Sequence, residues 1–186
     1  PGQKNNVINE NKNIANDMQK FYDDWWEDAS KEFKYSYIDI LPNITNTITA
    51  HDVQVNSITA WDQSVIRKGI PYELGKFNVD FKKSGEYKIT LRRWPKESNL
   101  NLRDGIDDYI PAKKYWDQQL SGKSMNIVSA FIKIGDKEYK VDLSDNFKSA
   151  SINIDINSGQ TSLEPGFILD NGQTSIAFYT DIDFLF

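Results

Sequence analysis

His51 is the single histidine of the chain, and in "TAHDVQ" it stands beside Asp52. An imidazole next to a carboxylate is the beginning of a proton-transfer pair, but a hydrolytic triad also needs an activated nucleophile. No Gly-x-Ser-x-Gly elbow supplies one. One histidine and no cysteine leave a catalytic zinc ion short of its usual ligands. The expectation for His51 is therefore a hydrogen-bonding residue at a strand end, with Asp52 either orienting it or capping a turn. The 27 acidic residues offer pairs such as Asp107 with Asp108 and Asp181 with Asp183. Glycosidase carboxylates face each other across a cleft, about 5–10 Å apart. Neighbours on a strand point to opposite faces, which disfavours Asp107 with Asp108. Asp181 and Asp183 share a face but alternate with Ile182 and Phe184, the pattern of an ordinary solvated strand face. Asp104, Asp107 and Asp108 form a candidate calcium loop, without EF-hand spacing to support it.

The second stretch with chemical potential is "EYKITLRRWPKES", residues 86–98. It alternates as a strand, then runs into two arginines, a tryptophan and a proline. Arg93 continues the Tyr87–Ile89–Leu91 face, where burial calls for a carboxylate partner. Arg92 shares its face with Trp94 and is placed to stack across it. Pro95 removes a ladder donor and ends the strand, as at a structural corner or interface. Trp61, Trp94 and Trp116 lie outside the helical segment described next. Exposed on a sandwich, such rings stack on sugars, and this motivates one functional alternative, an autonomous carbohydrate-binding module. The competing expectation is that they are core residues.

The elements that must position these residues change character near residue 34. Over 9–31, Ile14, Met18, Phe21, Tyr22, Trp25, Trp26 and Ala29 recur at three- and four-residue steps, predicting one amphipathic helix. Its polar face is predominantly acidic, unlike that of a membrane-surface helix. Trp25 and Trp26 demand a packing partner, and a domain of 1–34 is expected to pack on a sandwich of 35–186. Beyond it the period is two. Strands are predicted over 35–41, 44–50, 76–81, 86–93, 126–134, 137–143, 150–156, 160–169 and 174–184. "KKSGE", "KIGDKE", "INSGQ" and "LDNGQ" read as glycine-centred hairpin turns. Residues 95–125 read as a long excursion with a short helical turn. The fold class that follows is mainly β: an antiparallel, jelly-roll-like β-sandwich with one long amphipathic N-terminal helix.

Composition agrees with a folded chain of this kind. The 186 residues are 39% hydrophobic and 13% aromatic, enough for a sizeable core. A net charge of −5 and the lack of any Lys/Arg cluster disfavour nucleic-acid binding. No apolar run approaches the ~20 residues that span a bilayer, so no membrane partner is expected. "PGQKNNVINE" has neither an initiator Met nor the apolar region of a signal peptide. The chain is thus expected to be part of something longer.

Several segments, taken in order, carry a resemblance: "PGQKNNV", "YDDWW", "ITAHD", "AWDQSVIRKG", "GEYKITLRRWPKES", "SAFIKIGDKEYKV" and "FILDNGQTSIAFY". Together they resemble the C-terminal region of arylsulfatase-type sulfatases, from Pro1 to about Tyr179. "LRRWPKE" and "AWDQSVIRKG" weigh most. The resemblance implies a sulfuric ester hydrolase, periplasmic or secreted, acting on a sulfated glycan or aryl sulfate. Its catalysis uses a Cys or Ser matured to formylglycine in Cys/Ser-x-Pro-x-Arg, and a calcium ion. No such motif occurs here, so no catalytic residue carries over and no cofactor is assigned to this chain. The implied role is an accessory domain, inactive alone, whose partner is its own absent catalytic domain. By the same resemblance His51, Asp52, Trp61, Gln63 and Arg67 are candidates for the substrate pocket. Arg92, Arg93, Trp94, Trp25 and Trp26 are candidates for the structural interface.

Overall fold

The computed structural model describes residues 4–32, 36–54, 63–106 and 121–186. The chain divides into two compact units, Pro1–Ser36 and Tyr37–Phe186. In the first, a 3₁₀ turn (Ile8–Glu10) leads into helix α1 (Lys12–Ser30). No side chain caps its N-terminus; Asn11 instead donates from Nδ2 to the Val7 carbonyl at 3.0 Å. The i, i+3/i+4 spacing brings Tyr22, Trp25 and Trp26 together, with ring centroids 5.8–6.3 Å apart.

The second unit is a β-sandwich. Its strands are β1 (Ile38–Ile40), β2 (Asn46–Thr49), β3 (Phe77–Phe81), β4 (Gly85–Arg92), β5 (Ile127–Ile134), β6 (Lys137–Asp142), β7 (Ala150–Ile156), β8 (Gly159–Leu169), β9 (Thr174–Ile176) and β10 (Tyr179–Phe184). One sheet runs β1-β3-β8-β5-β6, with β9 on the upper half of β8; the other runs β2-β10-β4-β7. All pairings are antiparallel except β1 with β3. Alternation fills the space between the sheets: Phe77, Val79 and Phe81 from β3, Tyr87, Ile89 and Leu91 from β4, and Ile182 from β10 are all essentially inaccessible. Each such side chain contributes roughly 1.5–3 kcal/mol by leaving water.

Three expectations are corrected. The predicted strand 174–184 is two strands, because Ala177 and Phe178 carry the chain from β8's sheet to the other. "KKSGE" and "INSGQ" do not close hairpins; each carries the chain from one sheet to the other, β3 to β4 and β7 to β8. Glycine at φ +152° or +124° reports a special turn conformation but not which sheet the next strand joins. A short helix, α2 (Gln63–Arg67), stands in a stretch with no predicted element; five residues are too few for helical periodicity.

The registers place the connections very unequally. The segments 41–45, 82–84, 135–136 and 157–158 leave one end of the sandwich, where Ile156 faces Gly85 and Ile134 faces Lys137. At the opposite end, where Arg92 faces Tyr179 and Tyr179 faces Thr49, β2, β4, β6 and β8 give way to the connections 50–76, 93–126, 143–149 and 170–173, the first two by far the longest in sequence. These are called the turn end and the loop end below.

Candidate functional site

The residues that could do chemistry collect at the loop end. β4 delivers Arg92, Arg93 and Trp94 there because its strict alternation runs without a break into "RRWP". Arg93 follows Tyr87, Ile89 and Leu91 on the inner face and is 0% exposed. The expected carboxylate partner is not what it meets. Nη1 donates to the Asp104 carbonyl at 3.1 Å, and Nη2 to the carbonyls of Ile66 at 3.0 Å and Lys123 at 2.6 Å. Three carbonyl dipoles from two connections, 50–76 and 93–126, thus replace a counter-ion, a geometry suited to the forked guanidinium. Burial pushes the Arg93 pKa down to about 10, against the opposing pull of the Asp104 charge.

Arg92 and Arg93 exchange their expected roles. Arg93, not Arg92, lies over the Trp94 ring, 4.5 Å from its centroid. Arg92 turns to the outer face and donates from Nη2 to Asp181 Oδ2 at 2.6 Å, with both side chains 12% exposed. Asp181 also accepts from Thr47 at 2.9 Å, while Asp183 accepts from Thr45 at 2.5 Å. The solvated-face reading therefore fails for Asp181, because the neighbouring strands supply a cation and a hydroxyl that cover it. Trp94 is 4% exposed and donates from Nε1 to the Asp104 carbonyl at 3.2 Å, so its ring is no platform for a sugar. Trp61 and Trp116 lie outside the described residues, as do Asp107 and Asp108.

Among the pocket candidates, His51 and Asp52 occupy the turn after β2. Asp52 Oδ2 accepts from the Thr49 amide and hydroxyl at 2.9 and 3.0 Å, so it caps this turn. Gln63 and Arg67 sit one turn apart on α2, with Arg67 Nη2 reaching Gln63 Oε1 at 3.4 Å. α2 is fastened from both sides: its Ile66 carbonyl accepts from Arg93, and its Arg67 carbonyl accepts from the Lys123 amide at 2.8 Å. Trp25 and Trp26 belong to α1, in the other unit.

Sequence reasoning missed Arg103, which donates to the carbonyls of Ile127 at 2.6 Å and Leu143 at 2.8 Å. It also missed Asn46, whose side chain holds the 41–45 turn through Leu41, Ile44 and Ile182. Asp104, once a calcium candidate, accepts from the Asn101 amide and from Asn146 instead. Among the described residues no group of three or more His, Asp or Glu could hold a metal ion. None of the described helices is long and apolar enough to cross a membrane.

No family model matches the chain, and no curated protein matches it. Among solved structures, a ruminal GH26 endo-β-1,4-mannanase is similar at a TM-score of 0.38 and 13% identity, over 81% of this chain. The chain spans 27% of the length of that structure. A likeness that weak carries no functional argument.

Proposed function

We propose that this chain is the accessory β-sandwich region of an arylsulfatase-type sulfuric ester hydrolase, stabilising the catalytic domain and shaping the pocket it works on. The observation that supports this reading is a meeting of two segments. "AWDQSVIRKG" and "LRRWPKES", which carry most of the resemblance, are joined by the bond from Arg93 Nη2 to the Ile66 carbonyl. Residues that mark the family in sequence thus form one buried knot at the loop end, and α2 presents Gln63 and Arg67 from it. In this reading calcium and formylglycine belong to the catalytic domain, the exposed stripe of α1 with Trp25 and Trp26 is a docking face, and the parent enzyme is periplasmic or secreted.

The test is made in the full-length enzyme. Deleting residues 37–186 is expected to abolish stable expression or aryl sulfate turnover, and Arg67→Ala or His51→Ala to alter selectivity among sulfated substrates with the fold intact. Full activity and unchanged selectivity after the deletion would overturn the reading. Saturable binding of an unsulfated glycan by the isolated chain would favour the carbohydrate-binding module instead.

A further inference from the structure

We propose that the hollow at the loop end, lined by Lys68, Gly69, Gly105, Gly122, Lys123 and Ser124, binds a tetrahedral oxyanion such as sulfate or phosphate. The inference is independent of the accessory-domain reading, since it rests on the geometry of the Arg93 knot. The hollow is open and holds about 630 Å³.

Arg93 draws the carbonyls of Asp104 and Lys123 inward. Because the peptide unit is planar and trans, the N–H on its other edge points the opposite way. Those amides belong to Gly105 and Ser124, two residues of the hollow wall, and among the described residues neither has an acceptor. They are close neighbours: a Cβ built on Gly105 would stand 3.1 Å from the Ser124 nitrogen. Paired backbone amides of this kind make an anion-binding concavity.

The charges act in the same direction. Lys68 and Lys123, both exposed, are the charged residues of the described wall, and the hydroxyls of Ser121 and Ser124 add donors. Behind the wall lies the buried Arg93 cation, which forms no ion pair among the described residues. The Asp104 carboxylate, whose charge acts on it, is turned to Asn101 and Asn146 and is not part of the wall. Glycine at 69, 105 and 122 lets the segments of the wall lie backbone against backbone, since a Cβ at each would collide with backbone or with Trp94. Two amides in the wall, with two lysines and two serines among its residues beside Ile70 and Ile106, suit the several oxygens of a tetrahedral anion better than a planar carboxylate.

The experiment is a titration of the ¹⁵N-labelled chain, followed by amide NMR, with sodium sulfate and sodium phosphate in separate arms. Sodium chloride at equal ionic strength is the control. Saturable shifts at Gly105 and Ser124 in either arm, weakened at least tenfold by the double substitution Lys68→Glu and Lys123→Glu, are expected. Should that variant not fold, Lys123→Ser alone is expected to weaken binding at least threefold. Shifts that merely follow chloride, saturation centred elsewhere, or affinity unchanged by the substitutions would each overturn the proposal.

Discussion

Tyr87 and Arg93 stand at the two ends of one buried row that runs along β4 and one residue past it, and each ties down a connection by donating to backbone carbonyls. At the turn end the Tyr87 hydroxyl reaches the Lys83 carbonyl, four residues away, at 2.6 Å. At the loop end Arg93 reaches carbonyls 11, 27 and 30 residues away. The difference follows from loop length. A connection ten times longer costs about 2 kcal/mol more closure entropy, and a single neutral hydrogen bond contributes only about 1 kcal/mol. Three bonds from one guanidinium fasten both long connections at once, at three points, with a desolvated charge as the cost. A sandwich can therefore hold one end with turn chemistry and the other with a buried cation.

Arg93→Leu breaks this contrast most severely. It strands the Ile66 and Lys123 carbonyls, leaves that of Asp104 with Trp94 alone, and is expected to lower stability by about 3–5 kcal/mol in urea unfolding, whereas Tyr87→Phe is expected to lower it by about 1 kcal/mol. Backbone packing gives a second contrast. Gly122→Ala places a methyl 2.9 Å from the Trp94 ring and is expected to cost about 2 kcal/mol. At the turn end a Cβ on Gly135 (φ +55°) would meet only Thr161 Oγ1, at an ordinary 3.5 Å, so Gly135→Ala is expected to cost only the left-handed backbone term, about 1 kcal/mol. Asp181→Asn, which weakens the charge-assisted bond to Arg92 but keeps its shape, is expected to cost about 1 kcal/mol, since that pair remains partly open to solvent.

The smallest effect depends on pH. Burial raises the Tyr87 pKa, and donation of its hydroxyl to the Lys83 carbonyl favours the same protonated form. An unfolded tyrosine ionises near pH 10, while the folded one resists. The stability due to Tyr87 is therefore complete below pH 10 and is lost as pH rises above it. The gap between wild type and Tyr87→Phe is expected to be constant from pH 6 to 9 and to narrow above pH 10; a gap that widens there would show the opposite sign. Arg93 is fully charged below its own pKa of about 10, so its desolvation cost is constant over the neutral range.

Legibility in the sequence divides along the same line. The core strands were readable because alternation is local: "EYKITLRR" announces its buried face in its own spelling, and so does "KFNVDF". The α1 stripe was readable for the same reason. The sequence does not carry information about partners far apart in the chain. That Arg93 belongs inside was legible from its place after Leu91, but its acceptors are backbone atoms of Ile66, Asp104 and Lys123, which no residue type advertises. Asp181 looked solvated because its cover comes from Thr47 and Arg92 on the two flanking strands. The glycines in "KKSGE" and "INSGQ" signalled reversals without saying that those reversals change sheet.

Amide hydrogen exchange on wild type and Arg93→Leu, under conditions where both stay folded, tests most directly that one buried cation holds the loop end. The amides to follow are Lys123, bonded to Arg67, Met125, bonded to Arg103, and Ile106, bonded to Gly122. The predicted result is a loss of protection at these amides well beyond that of the β4–β7 and β4–β10 ladders near Tyr87. A uniform loss at both ends, or unchanged protection of the loop-end amides, would contradict it.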